Sequence, residues 1–223
     1  MDPGAARGLE PQLAHRAAAT EVGRAARASS ALRATPRVVP RARGARGDRP
    51  HANAGQEAAR RAFRAGLPPG ETLVAIQPGA AHPDRVWSAD KFRALAGALA
   101  ERSGVTVFVF LGQAEAHFGA PGYLPERANL RPVREPLDSA VAKLAACDLL
   151  IGNESGFYHL AFALGLKVVG IFRSLRAARR WTYRSPRSRV VIAWMPRPFR
   201  RDWTRWISVA RVLRAARKVA PGL

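Results

Sequence analysis

One cysteine, Cys147, is all that this 223-residue chain carries. No disulfide can form within it and no cysteine cluster can hold a metal, which suits a reducing cytoplasm. Cys147 lies beside apolar residues and is read as an inert core thiol. Also missing is any apolar run near the roughly 18–20 residues that span a bilayer. The N-terminus shows no hydrophobic signal core. The expectation is a soluble, cytoplasmic protein that at most touches a membrane surface. Acidic residues are scarce too: 16 Asp and Glu stand against 37 Lys and Arg, a formal charge of +21. Nearly all of the cations are Arg, and they come with abundant Ala, Gly and Pro. That mixture arises from a GC-rich coding sequence as readily as from selection for anionic partners.

The excess charge is not spread evenly. Residues 1–66 carry 13 basic and 5 acidic side chains, residues 67–172 carry 9 and 10, and residues 173–223 carry 15 and 1. The middle is therefore near neutral at −1, with +8 before it and +14 after it. Residues 1 to about 55 show no lasting periodicity and few large apolar side chains, so burial cannot offset their ordering entropy. A largely disordered basic arm over residues 1–66 is expected, with a short helix at 56–65 ended by Gly66 and the Pro68-Pro69 pair. The boundary is placed near Leu67, and residues 67–223 form the folded domain.

Within that domain, short apolar runs alternate with helical spacing, the signature of α/β architecture. Leu73 to Gln77 reads as the first strand, followed by a long polar loop to Trp87 that holds His82 and Arg85. Ser88 stands at an N-cap position. Phe92, Leu95, Ala96 and Leu99 then give a helix one apolar face. Val105 to Leu111 is a strand buried on both faces, as in parallel sheets. Gly112 to Pro125 is a loop or short helix with Glu115 and His117, and Asn129 to Val133 a short strand. Asp138 is expected to cap a helix over Ser139 to Ala146. Arg173 to Arg205 reads as irregular and densely basic, with a final helix from Ile207 to Val219.

The central stretch, DLLIGNESGFYHLAFALGLKVVGIF, joins two buried strands through a tight polar turn and a helix. A turn at the carboxyl end of a parallel strand is where open α/β sheets bind ligands. The amides of Ser155 and Gly156 open the helix, and a helix start suits a phosphate. His159 lies one helical turn on from Ser155, on the same face.

The run GNESGFYHLAFALG resembles the signature of glycosyltransferase family 9, the ADP-heptose:lipopolysaccharide heptosyltransferases. Ile76-Gln77-Pro78-Gly79-Ala80 resembles the family's I-x-P-G-A. Arg85-Val86-Trp87 resembles its K-x-W-P, and Leu111-Gly112-Gln113-Ala114-Glu115 its L-G-G-x-x-E. All four fall in the family's order over residues 73 to 172. The resemblance implies a Rossmann-like parallel sheet flanked by helices, the C-terminal, donor-binding half of a GT-B fold. It implies inverting transfer from ADP-heptose or a related nucleotide sugar to a lipopolysaccharide core acceptor, with no cofactor and no metal.

Carried over residue by residue, the resemblance gives the diphosphate turn to Ser155 and Gly156 and a phosphate-binding cation to Arg85. Arg85 stands where the family has Lys, and a guanidinium can pair two phosphate oxygens at once. Glu115 matches an acceptor for ribose hydroxyls. Glu154 replaces an Asp that contacts the donor sugar or shapes the turn. His159 either contacts phosphate, directly or from just behind, or simply packs or bonds backbone. Phe172-Arg173-Ser174 replaces the family's Phe-Gly-Pro. The general base that the family places in its N-terminal domain has no counterpart in residues 1–66. Asp2 and Asp48 are the aspartates there, and neither follows a strand. No catalytic residue is identified, and the chain alone is expected not to activate an acceptor hydroxyl. Two origins stay open: a partner chain that supplies that half, or a truncated product.

Other readings stay open. The domain could be a non-catalytic nucleotide-sugar or anion-binding remnant. The basic, Trp-bearing segment Arg173 to Arg217 could bind acceptor phosphates or anionic lipid at the inner membrane face. It could equally be a nucleic-acid patch, although no nucleic-acid-binding signature accompanies it, or an ordinary solvated face.

Overall fold

The computed structural model describes residues 54–112, 115, 122–194 and 197–223. The expected disorder of the arm over residues 1–53 lies outside these residues, as does His117.

Six strands form one sheet: β1 (Thr72–Gln77), β2 (Val105–Phe110), β3 (Leu130–Val133), β4 (Leu149–Asn153), β5 (Lys167–Phe172) and β6 (Ser188–Ile192). Their order is β3-β2-β1-β4-β5-β6, and every neighbouring pair is parallel. The helices are α1 (Ala54–Ala65), α2 (Ala89–Ala100), α3 (Leu137–Ala146), α4 (Gly156–Ala163), α5 (Leu175–Trp181) and α6 (Val209–Val219). This is a doubly wound, Rossmann-like fold.

The near-continuous apolar strands explain the two layers. β2 and β4 are buried along their whole length, so alternate side chains must feed opposite faces. Val74, Ile76, Val107 and Ile151 pack with Phe92, Leu95, Val212 and Ala216 from α2 and α6. Leu73, Ala75, Phe108 and Leu150 pack with Leu144, Tyr158 and Ala178 from α3, α4 and α5. On this second face α1 lies against α3, with the Phe63 ring 5.4 Å from Phe108. Arg64 bridges to Asp148 at 2.6 Å and donates through Nε to Ala146 O at 2.9 Å. The expected helix at 56–65 is thus present two residues longer, and its last turns hold onto the domain.

Two expectations need correction. Asp138 does not cap its helix: α3 starts at Leu137 after Pro136, and Asp138 sits in the first turn. The segment from Arg173 to Arg205 is not irregular. Ser174 caps α5 by accepting from Ala177 N at 3.2 Å, and Ser188 to Ile192 adds the sixth strand. A strong local cap and a sheet edge to extend outweigh the high charge of that sequence. Within the Arg197–Trp206 3-10 segment, Trp203 is buried and Trp206 partly exposed. No helix among the described residues is long and apolar enough to cross a membrane.

Candidate functional site

β1 and β4 are neighbours, yet the chain leaves β1 for α2 on one face and leaves β4 for α4 on the other. The loops beyond their carboxyl ends therefore part, and that parting is the ligand crevice of a doubly wound sheet. Gly152 lets the strands reach it side by side. It pairs with Gln77, and a Cβ there would come within 2.9 Å of the Gln77 carbonyl oxygen.

Asn153, fully buried at the end of β4, ties the two loops together. Its Nδ2 donates to Pro78 O at 2.6 Å and Gly79 O at 3.3 Å, and its Oδ1 accepts from Trp87 N at 3.0 Å. Both ends of the Pro78–Trp87 loop are so pinned to one side chain. Trp87 is itself anchored, edge-on to Phe92 and donating through Nε1 to Ile207 O at 3.2 Å. The middle of the loop is held by Trp203 Nε1, which donates to Asp84 O at 3.1 Å, and by an Arg173–Asp84 ion pair.

Ser155 caps α4: its Oγ accepts from Tyr158 N at 3.4 Å and donates to Gln77 Oε1 at 3.0 Å. The amides of Gly156 and Phe157 precede the first intrahelical bond, so the helix offers no acceptor for them. No acidic residue stands in the first turn of α4 to offset the positive end of the dipole. Gly156 is exposed, and a Cβ built on it would meet no atom within 4 Å. Neither its φ nor protein packing calls for glycine. What the missing side chain does provide is open approach to the first-turn amides.

A cavity of about 530 Å³ opens at this point. Its polar side is Gln77, Glu115, Ser155 and Gly156; its apolar side is Ala80, Ala81, Leu137, Phe157 and Leu160. Glu115 accepts from Gly112 N at 3.0 Å, and its carboxylate lies against Gly79, where a Cβ would come within 2.4 Å. Leu137 is 63% exposed beside this wall.

Of the six residues singled out in the sequence, Glu115, Ser155 and Gly156 meet in this cavity. Arg85 and Glu154 are brought together as an ion pair at 3.2 Å, just before Ser155 in the chain. Burial pushes the Glu154 carboxyl above the usual carboxylate range; Arg85 opposes the rise, Asp84 adds to it and His82 opposes it. His159 goes elsewhere. Its Nδ1 is 2.9 Å from the Tyr183 hydroxyl, and its ring sits edge-on to Tyr158, Trp181 and Tyr183. Gln77, Asn153 and the apolar wall drew no role from sequence reasoning. A polar residue ending a wholly apolar strand was the available signal for Asn153, since buried polar groups need partners. Among the described residues no cluster of three or more His, Cys, Asp or Glu could hold a metal ion.

Burial lowers the His159 pKa from its ordinary value of 6.5. Its neutral form is favoured by folding, so its stabilising contribution is full above about pH 6.5 and falls as the pH drops below it. Urea unfolding of wild type should lose stability between pH 7.5 and 5.5 more steeply than His159→Gln. Equal slopes would show that His159 does not titrate with folding.

Comparison with known proteins gives a consistent result. Residues 31–196 match the sequence model of glycosyltransferase family 9 (heptosyltransferase). No curated protein matches the chain. Among solved structures, a glycosyl transferase family 9 protein from Veillonella parvula superposes with a TM-score of 0.61 at 18% identity, covering 78% of this chain and 53% of that one. ADP-heptose lps heptosyltransferase II of E. coli gives 0.56 at 20% identity, covering 77% and 53%. E. coli heptosyltransferase WaaC, solved with ADP, gives 0.55 at 18% identity, covering 72% and 48%. The chain spans about half the length of these solved relatives and matches their C-terminal region.

Proposed function

The chain belongs to glycosyltransferase family 9, and from that premise we propose that residues 67–223 are a donor-binding half that takes ADP-heptose or a related nucleotide sugar. The observation that carries the reading is the glycine at the first turn of α4. It sits at the switch point of the sheet with its Cβ side open, beside a capping serine and the Arg85–Glu154 pair. A diphosphate seated there accepts from the amides of Gly156 and Phe157, with Arg85 as its cation. Fixed donors of this kind favour departure of a nucleoside diphosphate, because negative charge develops on the leaving group during transfer. Glu115, which lines the cavity, takes the ribose hydroxyls in this reading, and the apolar wall of Leu137, Phe157 and Leu160 suits the flat face of a base. His159, held by Tyr183, supports the helix from behind rather than touching phosphate.

Both carboxylates of the cleft are engaged, Glu115 with Gly112 N–H and Glu154 with Arg85. With no residue of the cleft assigned as a base, the chain is read as a donor binder that does not carry out transfer alone. The acceptor is a phosphorylated sugar of the lipopolysaccharide core, met in the cytoplasm or at the inner membrane face, and no residue among those described is assigned as the base that activates it. The exposed cations of α6, Arg211, Arg214, Arg217 and Lys218, fit such an anionic surface.

Titrating ADP into the full chain by calorimetry tests the reading. Saturable binding is expected, weakened about tenfold in Arg85→Ala, as suits the loss of one charge-assisted contact from a half-exposed cation. An Arg85→Ala protein that binds ADP as wild type does would remove Arg85 from the site.

A further inference from the structure

Arg85 is already paired on one side before any anion arrives. Its Nη1 is 3.2 Å from Glu154 Oε1, and the Glu154 side chain is 7% exposed against 40% for Arg85. The carboxylate is the fixed, desolvated member of the pair, and the guanidinium is the member with water on one side. We propose that Glu154 is a built-in competitor for Arg85: a bound diphosphate takes the guanidinium from it, and the abandoned carboxylate takes up a proton. This rests on the reading of the cleft as a diphosphate site.

The charges around Glu154 favour uptake of a proton once Arg85 leaves it. The loop after β1 faces it with His82, Asp84 and Arg85. At the end of β5, Arg173 is already paired to Asp84. If Arg85 turns to a phosphate, Asp84 stays close, and the anionic ligand adds like charge beside a carboxylate that water barely reaches. Burial already raises the Glu154 pKa in the free chain, and each of these changes pushes the same way. The balance is simple: one proton passes from buffer to a Glu154 oxygen as the Arg85–Glu154 contact breaks and an Arg85–phosphate contact forms. No other bond changes. Glu154 is thus a positioning residue. It holds Arg85 in place before ligand arrives and lowers affinity for polyanions at high pH, where it stays charged.

The test is calorimetric titration of ADP into the full chain and into Glu154→Gln, at pH 7.0 in two buffers of different ionisation enthalpy. Proton exchange on ADP itself is common to both proteins and cancels in the difference. Wild type should take up more protons than the variant. At pH 8 Glu154→Gln should bind ADP about tenfold more tightly than wild type, since a like charge has been removed from the site. The gap should narrow as the pH is lowered, because protonation of Glu154 removes the same charge. Glutamine keeps the shape and an oxygen acceptor for Arg85, and a thermal midpoint near that of wild type verifies the fold. Equal proton uptake, or weaker binding by Glu154→Gln at pH 8, overturns the exchange while leaving the diphosphate reading intact. Absence of ADP binding in both proteins at millimolar ligand overturns the reading and the exchange with it.

Discussion

Asn153→Leu should destabilise the fold by about 3–5 kcal/mol, the largest loss expected from any conservative-volume change near the cleft. The replaced amide satisfies Pro78 O, Gly79 O and Trp87 N in a site closed to water. Leucine fills the volume but satisfies none of them, and each buried group left unpaired costs roughly 1–3 kcal/mol. Urea unfolding followed by far-ultraviolet circular dichroism measures this directly. At this chain size the loss corresponds to a midpoint lowered by on the order of 10 °C. The variant should also bind ADP poorly, because both ends of the Arg85 loop are tied to that one side chain. A loss below about 1 kcal/mol would mean that the loop is held by Trp87 and Trp203 without Asn153.

Gly156→Val should do the reverse: little change in stability and a loss of ADP affinity of at least about a hundredfold. Open space around the glycine means that a valine meets no protein atom through its Cβ, and valine ranks above glycine in helix propensity, so the exchange carries no propensity cost. Phosphate oxygens, however, must come within roughly 3 Å of the first-turn amides to accept from them. A branched side chain occupies that approach. Gly156→Ala should fall between, near tenfold. Wild-type affinity in Gly156→Val, measured by the same calorimetry, would move the ligand away from α4 altogether.

These two residues also show what could be read in advance. The strands β1, β2, β4 and β5 were legible because each is a short apolar run closed by a turn, and their parallel pairing follows from burial on both faces. Gly156 was legible through the turn it belongs to. Asn153 was visible as a residue but not as a tie, because its partners Pro78 and Trp87 are 75 and 66 positions away. The Arg85–Glu154 pair, 69 positions apart, was hidden in the same way. His159 showed its helix face but not its neighbour: Tyr183 belongs to a segment that looked irregular. There α5 buries only Ala178, and β6 exposes Arg189, so arginine dominated the pattern while a serine cap and an available sheet edge decided the structure. Local period reports burial well; it reports long-range polar pairing hardly at all.

Everything proposed for the cleft requires the α4 start beside the Arg85 loop to be a nucleotide-diphosphate site. Hydrogen–deuterium exchange of the full chain with saturating ADP, set against adenosine, tests it most directly. Slowed exchange is expected at the amides of 155–158 and across 83–87 with ADP, and no slowing at 155–158 with adenosine. Slowing confined to other segments, or the same pattern with both ligands, would contradict it.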